Sequence, residues 1–485
     1  MNFQKTIFIS AYRDFAIRYL LYSDVFHNLR SQPYRIIIFL KDNDIKFYRD
    51  RFDYPNVVLE PVFYHKALGQ LRRSRLSSFF VLVRKCMSGT APGYRNTTDD
   101  VRRYQYSQEM SGRISRKVRF QLARLLSRIG SRVRVIRELI VKLESWNFPG
   151  RMYDQYFEKY HPDMLIVTSL GHMIDPLFMR AASRHGASVV AIMRNFDAPT
   201  TKDYRGAHID HVVAWNPIME KEVRIFHDLP RERIHVGGIA HWDFYFNGQY
   251  KVREKPFFLK ENRLSKDRKI IFYATSGFKL FSRSFDVIIQ LLSAAENNRF
   301  RDPVQFLVRL HPAYLSKNNT GEGQVIDRYR KQMADIERRY PNLVSFVPPD
   351  MRFLTDGIDT PVEDMYKLAD TFTHADILLN EYSTVMIEST IFDLPIINVG
   401  LYNYRDTEKP ISYLENFTHI KRLLKSGASK NAYTFDQLVT YINDYLEDPA
   451  KDRQARKCLF AQEINTHIGE AGSATAAILR KLINE

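Results

Sequence analysis

The sequence predicts an α/β protein made of two doubly wound, parallel-sheet domains that face a cleft. Short β-rich runs alternate with helical patterns along most of the 485 residues, a pattern typical of parallel sheets covered by helices. A polar, charged and weakly periodic stretch at 248–268 divides the alternation into two series, which indicates a linker. A basic segment at 66–145 adds a helical insert to the first domain.

The first series, 1–247, contains five predicted strands and one clearly bounded helix. The helix is expected at 175–185 because Gly186 follows it as a stop signal. The strands are expected at 6–10, 35–40, 164–169, 188–193 and 211–214.

The second series, 269–455, repeats the alternation. Thr360-Pro361-Val362-Glu363 has the form of a capping box with proline at the first helical position, so a helix should begin there. A last helix, within 456–485, completes the chain. The strands are expected at 269–274, 304–309, 343–347, 375–380 and 395–399, and further helices at 285–295, 324–339, 383–391 and 435–446.

Most of the net charge lies in the basic segment. The chain has 72 Lys and Arg against 55 Asp and Glu, a net charge of +17, and residues 66–145 alone carry 19 against five, a net charge of +14. Within it, apolar residues spaced by three and four at 118–143 predict one amphipathic helix with Gly130 as a potential kink. Three alternatives stay open: a solvated surface helix packed on the body, contact with an anionic membrane, or contact with nucleic acid.

Two cysteines exclude a disulfide framework or a cysteine-rich zinc site and fit a reducing, cytoplasmic compartment. The most apolar run, 79–83, is far shorter than the ~20 residues that span a bilayer.

Two segments of the second series can bind phosphate. Arg309 and His311 come at the end of a predicted strand, where both can donate charge-assisted hydrogen bonds. Ser383 and Thr384 come at a predicted strand-to-helix turn, where free backbone N–H groups attract anions. Glu388, one turn further along, is placed to accept from a ribose hydroxyl.

These segments, together with Leu394-Pro395-Ile396-Ile397-Asn398-Val399-Gly400, resemble the donor-binding half of GT-B-fold transferases of bacterial surface polysaccharides. The resemblance is to CDP-glycerol glycerophosphotransferases and to transferases that use CMP-sugars (Kdo, sialic acid). It implies a nucleotide-activated donor and no metal or other cofactor. Glu381 departs from the aspartate that is usual in the glycerophosphotransferases. The donor-binding residues it implies are Ser276, Gly277, Arg309, His311, Glu381, Tyr382, Ser383, Thr384 and Glu388.

The first domain should then supply the acceptor site and the catalytic group. Glycerophosphotransferases carry a histidine, the expected base, in the segment that corresponds to 193–202, and this chain has none there. The segment instead resembles that of uncharacterised surface-carbohydrate transferases, with Asp197, Thr200 and Lys202 at the matching positions. This resemblance implies Asp197 as the base or nucleophile, unless Asp197 only caps a turn. His172 and Asp175 are further catalytic candidates, although Asp175 also suits a helix N-cap. Arg194, Thr200 and Lys202 are expected to contact the acceptor or a phosphate.

The preferred function is a glycosyltransferase that moves a sugar from a CMP-, CDP- or UDP-linked donor to a cell-surface glycan or lipid-linked acceptor. The alternative is CDP-glycerol-type glycerophosphate transfer. A nucleotide-sugar 2-epimerase fits less well, because its substrate is soluble and the basic insert resembles a membrane-binding segment. A nucleic-acid-binding protein fits less well, because the charge belongs to one amphipathic segment. We expect a cytoplasmic protein that is peripheral on the inner face of the membrane.

Overall fold

The computed structural model describes residues 3–97, 114–278, 280–314, 323–403 and 411–485. The chain divides into two compact units. The first comprises Met1–Asn247, Arg352–Asp359 and Ile464–Glu485, and the second comprises Gly248–Met351 and Thr360–Glu463.

The first unit is built on a parallel seven-stranded sheet of order β3-β2-β1-β4-β5-β6-β7. The strand order reverses between β1 and β4, and ligands of such sheets bind where the order reverses, beyond the carboxyl ends of the strands. The strands β1 to β7 are Lys5–Ser10, Tyr34–Leu40, Val57–Pro61, Met164–Val167, Ser188–Ile192, His211–Ala214 and Ile234–Val236.

The second unit contains a parallel six-stranded sheet of order β10-β9-β8-β13-β14-β15, which reverses between β8 and β13. The remaining pair, β11 and β12, is an antiparallel hairpin. Two parallel sheets confirm the predicted fold class. The strands β8 to β15 are Lys269–Ala274, Val304–Arg309, Val344–Phe346, Arg352–Phe353, Ile358–Asp359, Ile377–Asn380, Ile396–Val399 and Ser429–Ala432.

Helices follow most strands. In the first unit the α-helices are Asp14–Ala16, Asp24–Arg30, Ile45–Tyr48, Tyr64–Arg73, Arg75–Lys85, Ile114–Arg132, Arg134–Asn147, Asp154–Tyr160, Asp175–Arg184, Ala198–Thr201, Pro217–His227 and Ala471–Asn484. In the second they are Lys255–Glu261, Ser284–Glu296, Gly323–Arg339, Glu363–His374, Val385–Glu388, Ser412–Glu415, Thr418–Lys425, Phe435–Glu447 and Arg453–Glu463.

Three predicted boundaries are wrong. The linker predicted at 248–268 contains the helix Lys255–Glu261, which buries Phe258 and Leu259 in the second unit. The chain rejoins the first unit at Ile464 rather than 456, because Arg456 donates to Asp393 and Glu463 accepts from Arg422, both of the second unit. The hairpin Arg352–Asp359 also belongs to the first unit, where the buried Asp359 accepts hydrogen bonds from that unit's side chains.

The predicted capping box at Thr360 does not form. The helix begins at Glu363, and the Thr360 hydroxyl is buried without a hydrogen-bond partner among the described residues. A capping box does form at Thr434, whose side chain accepts from the Gln437 backbone N–H.

The basic segment contains helices on both sides of residues 98–113, which lie outside the described residues. The single helix predicted at 118–143 is two helices, Ile114–Arg132 and Arg134–Asn147. The break is at Val133, which is extended with φ −117° and ψ 107°, and not at Gly130.

Candidate active site

The predicted donor-binding residues lie at the carboxyl edge of the second sheet, where its strand order reverses. Strands β9, β8 and β13 are neighbours and end at Arg309, Ala274 and Asn380. The loops that follow them carry Ser276 and Gly277, His311, and the run from Glu381 to Thr384. The topology thus brings together three segments that are far apart in sequence.

The Glu381 side chain links the loop after β13 to the loop after β8. Its carboxylate is buried and accepts hydrogen bonds from the Tyr273 hydroxyl at 2.6 Å, the Ser276 backbone N–H at 2.6 Å and the Ser284 hydroxyl at 2.7 Å. Burial raises the pKa of Glu381 to about 7, although all three donors act to lower it. Glu381 therefore positions the Ser276 loop, and its hydrogen bonds go to protein groups.

His311 is a neutral hydrogen-bond donor at the same edge. Its Nδ1 accepts from the Ala313 backbone N–H at 3.1 Å, so the ring proton belongs on Nε2. Burial, with a smaller effect of the Arg309 charge, lowers the pKa of His311 to about 4. The His311 backbone N–H donates to the Thr275 hydroxyl at 3.0 Å, which holds the ends of β8 and β9 together.

Arg309 and Tyr382 are paired inside the second unit. The Arg309 guanidinium donates to the buried Asp364 at 2.6 Å. Tyr382 has a φ of +54°, and its hydroxyl donates to Glu415 at 2.7 Å. These two side chains therefore fix the loops that they belong to, a contribution that the sequence did not predict.

The turn after β13 is held by an amide chain that the sequence analysis missed. Asn380, Asn398 and Asn431 occupy matching positions on β13, β14 and β15, and their side chains are linked by hydrogen bonds of 3.0 and 2.9 Å. The free end of this chain, the Asn380 side-chain oxygen, accepts from the Ser383 hydroxyl at 2.8 Å. The available signal was an asparagine in each of the two predicted strands that contain Asn380 and Asn398, whereas Asn431 lies in a strand that the sequence did not predict.

The α-helix predicted at 383–391 is shorter. Thr384 precedes the helix Val385–Glu388, which continues as the 3₁₀ turn Ser389–Phe392. Glu388 is buried at 8% exposure, which leaves little of it open to a ribose hydroxyl.

In the first unit, Asp197 follows β5 and both of its carboxylate oxygens are engaged locally. Asn195 donates to one oxygen, and the Thr201 hydroxyl donates to the other at 2.8 Å. The buried Thr200 donates to the Asp197 carbonyl at 3.0 Å. This turn holds the carboxylate in one orientation and also fits the turn-capping alternative.

Asp175 is the first residue of its helix and makes no N-cap bond, contrary to the capping alternative. It lies at 1% exposure beneath β1 and β4, where the hydroxyls of Ser169 and Ser10 donate to it. Burial raises its pKa, and the nearby Arg13 counteracts this.

His172 faces a different environment. Burial lowers its pKa, and its Nδ1 lies 3.4 Å from the Asp203 carboxylate. Together with Asp203 and Met173 it lines a cavity of about 440 Å³ whose other walls come from helices of the basic segment. Lys202 and Arg194 lie in the neighbouring turns and are partly exposed.

The two long helices of the basic segment expose their apolar stripes. The face that packs inward carries Phe120, Ala123, Ser127 and Gly130, whereas the larger aliphatic residues point outward. The exposed residues are Ile114, Val118, Leu122, Leu125 and Ile129 on one helix, and Val135, Leu139, Leu143 and Trp146 on the other, with exposures from 40% to 81%.

For the first of these helices, this exposure contradicts the alternative in which the stripe packs on the body, whereas Ile140, a stripe residue of the second helix, is buried. Arg116, Arg128 and Arg132 are exposed on the same helix as the stripe. Arg137 differs from them, because it is buried and its guanidinium binds Asp228 at 2.6 and 2.7 Å. Among the described residues, no helix is both long enough and apolar enough to cross a bilayer.

Much of the chain is similar to known proteins. Residues 179–480, more than half of the chain, match the model of a family described as "CDP-Glycerol:Poly(glycerophosphate) glycerophosphotransferase". A search of curated proteins finds no match.

Several solved structures are similar in fold. A UDP-GlcNAc 2-epimerase from Neisseria meningitidis, bound to UDP-GlcNAc, gives a TM-score of 0.52 at 11% identity and covers 99% of this chain and 100% of its own. A putative UDP-N-acetylglucosamine 2-epimerase from Listeria monocytogenes gives 0.53 at 11% identity, with 99% and 96% covered. A variant of the wall teichoic acid polymerase TagF gives 0.48 at 12% identity, with 99% and 89% covered. The epimerase likenesses confirm the GT-B fold.

Proposed function

The chain belongs to the CDP-glycerol:poly(glycerophosphate) glycerophosphotransferase family, and from that premise we propose that the carboxyl edge of its second sheet binds the nucleotide-activated donor of a group-transfer reaction. The observation that carries the proposal is the state of His311. A neutral imidazole whose Nδ1 is occupied by a backbone N–H presents Nε2–H as a fixed donor, and it does so at the strand-order reversal where ligands bind.

Neighbouring groups suit a phosphate. A Cβ added to Gly277 would lie 3.8 Å from the His311 ring, so the glycine leaves the backbone close to it. The Ser383 hydroxyl, held by Asn380, follows the adjacent strand. A phosphoryl group at this edge would meet the His311 Nε2–H donor and the backbone of the Gly277 loop, beside the Ser383 hydroxyl that Asn380 holds.

Two reactions are compatible with this donor site, and they differ in the group that is transferred. The preferred reading is glycosyl transfer, with the oriented carboxylate of Asp197 as base or nucleophile. Glycerophosphate transfer is the second candidate, and the family description favours it. His172 favours it too, because its lowered pKa keeps the imidazole neutral at pH 7 and therefore able to accept a proton. Asp203 orients that ring.

A thermal-shift screen with CMP, CDP, UDP, GDP and dTDP tests donor binding. We expect one base series to raise Tm in the wild type, with the rise reduced in His311→Asn. The matched control is His467→Asn, an exposed histidine of the first unit. If no nucleotide raises Tm, or if His311→Asn responds as the control does, the assignment fails.

Turnover separates the two reactions. Purified protein is incubated with CDP-glycerol or with nucleotide-sugars of the preferred base, and nucleotide release is measured. Glycosyl transfer predicts release that Asp197→Asn abolishes and His172→Gln retains. The reverse pattern, with CDP-glycerol as the donor, identifies glycerophosphate transfer.

We further propose that the exposed stripe of Ile114–Arg132 binds an anionic membrane surface. Its apolar residues lie on the same helix as exposed arginines, the arrangement of an interfacial amphipathic helix. Such binding would hold the enzyme where lipid-linked acceptors are found.

Flotation with vesicles, with and without anionic lipid, tests the membrane proposal. The triple variant Val118→Gln, Leu122→Gln, Leu125→Gln should stay in the dense fraction. The control, Val252→Gln with Phe257→Gln, replaces exposed apolar residues of the second unit and should float as the wild type does. If the wild type is a dimer without lipid and the triple variant is a monomer, the stripe joins two chains and the proposal is wrong.

A further inference from the structure

The carboxyl edge of the first sheet contains polar atoms that the fold leaves unsatisfied. The Tyr12 hydroxyl, the Arg13 Nη1 and the Thr168 hydroxyl are buried and have no hydrogen-bond partner among the described residues. Tyr12 and Thr168 are 2% and 4% exposed. Buried polar groups are almost always paired, since an unpaired one costs about 1–3 kcal/mol. Three such atoms in one place therefore point to a missing ligand.

These atoms converge at a defined point of the topology. Tyr12 and Arg13 follow β1, and Thr168 follows β4, the neighbouring strand across which the strand order reverses. The Arg13 Nη2 contacts the Met173 sulfur at 3.9 Å, which places the guanidinium over the loop after β4. This is the position at which doubly wound sheets bind ligands.

Two guanidinium groups lie near these unsatisfied atoms. Burial and, to a smaller extent, the positive charge of Arg13 lower the pKa of Arg194, which follows β5, to about 10, although Tyr12, Asp175 and Asp197 act to raise it. Two guanidinium groups thus lie close enough to repel each other. The nearby carboxylate, Asp175, already accepts from Ser169 and Ser10. Asp197 is a second carboxylate near Arg194 and accepts from Asn195 and Thr201, so both carboxylates near the two cations are engaged by other donors.

We infer that Tyr12, Arg13, Thr168 and Arg194 form a binding site for the phosphoryl group of a substrate. A carboxylate has two oxygens and is satisfied by one guanidinium, whereas these donors come from three strands and suit the larger set of oxygens on a phosphate. Asp175 lies below as the fixed counter-charge.

The inference rests on the proposed function only for the source of the phosphoryl group. In a transferase, that group comes either from a phosphorylated acceptor or from the donor. Displacement experiments distinguish the two sources, because glycerol 3-phosphate represents the first and CDP the second.

Isothermal titration with inorganic phosphate tests the site. We expect saturable binding to the wild type, weakened about 10- to 100-fold in Arg13→Met because one charged hydrogen-bond donor is lost. The matched control is Arg49→Met, an exposed arginine of the same unit, which should bind as the wild type does. Phosphate affinity that is the same in Arg13→Met and the wild type would overturn the inference.

Stability provides a readout that a purely structural arginine would not give. Since Arg13 is unsatisfied without ligand, Arg13→Met should keep or raise Tm in the absence of phosphate and lose the rise that phosphate produces. A lower Tm without phosphate would instead assign Arg13 a structural role. If that variant folds poorly, Tyr12→Phe, which removes one hydroxyl, decides the question, and unchanged phosphate affinity in it overturns the site.

Displacement completes the experiment. Release of phosphate by glycerol 3-phosphate but not by CDP assigns the site to the acceptor, and release by CDP assigns it to the donor. The nucleotide screen with His311→Asn tests the donor assignment independently of this experiment. If the donor assignment fails, a phosphate site that depends on Arg13 still holds.

Discussion

Replacing Glu381 by glutamine is expected to remove a pH dependence from the stability of the second unit. The carboxylate is 2% exposed and accepts three hydrogen bonds, and burial raises its pKa from 4.5 to about 7. A glutamine can keep the Ser276 N–H bond with its oxygen and donate to the Tyr273 and Ser284 hydroxyls with its amide. It therefore imitates the protonated acid.

The sign of the effect follows from the direction of the shift. Because the pKa is higher in the folded state, the folded protein binds more protons between pH 4.5 and 7, and the stabilisation that Glu381 contributes is lost as the pH rises through about 7. For these two pKa values the loss between pH 5 and pH 8 is about 2.5 kcal/mol. The free-energy difference between Glu381→Gln and the wild type should change by this amount, in favour of the variant at high pH.

Hydrogen exchange measures this difference where it arises. All three tryptophans, at 146, 215 and 242, lie in the first unit, so their fluorescence does not report on the second. Exchange of peptides that cover β8 and β13, followed by mass spectrometry at pH 5 and pH 8 with intrinsic rates corrected, gives the local unfolding free energy. A difference between variant and wild type that is the same at both pH values would refute the reasoning.

Three further outcomes are expected. Arg137→Met leaves the Asp228 carboxylate without its guanidinium and should cost about 3–5 kcal/mol in urea unfolding followed by tryptophan fluorescence, whereas the exposed Arg134→Met should cost less than about 0.5 kcal/mol. Asp243→Ala removes the acceptor for two backbone N–H groups of the last helix and should lower stability by about 1–2 kcal/mol, with faster hydrogen exchange at 471–484. Asp197→Ala should abolish transfer and leave nucleotide affinity unchanged, and retained turnover would contradict its assignment.

Five of the six strands of the second sheet were predictable because they are mostly buried apolar runs. The runs ending at Ala274 and Arg309 are bounded by polar residues and match the structure to the residue. Five strands of the structure were not predicted, namely β3, β7, β11, β12 and β15, and two of them were missed for the opposite reason. β3 is only partly buried, and β15 contains the sequence SKNA, so neither is a long apolar run.

The locations of the candidate site residues were predictable, but their partners were not. A strand-end position placed His311 and Ser383 at the sheet edge, whereas the partners of Glu381, Tyr382 and Arg309 lie 33 to 108 residues away in sequence. Pairing of this kind depends on tertiary packing, which a spacing pattern does not contain.

The amphipathic pattern at 118–143 shows the same limit of prediction from sequence spacing. Periodicity identified the apolar face correctly, but it could not show that small residues such as Ala123 and Gly130 pack inward while Leu122 and Leu125 face outward. A period fixes which residues share a face, and only the surrounding fold decides which face is buried.

Photoaffinity labelling with an azido derivative of the preferred nucleotide tests the central assignment most directly. Crosslinked peptides are mapped by mass spectrometry, with excess unlabelled nucleotide as the competitor. We predict crosslinks within 275–278, 311–314 or 381–388 that unlabelled nucleotide suppresses. We also predict that these crosslinks are lost in His311→Asn. Competed labels confined to peptides of the first unit would contradict the assignment of the donor site to the second sheet.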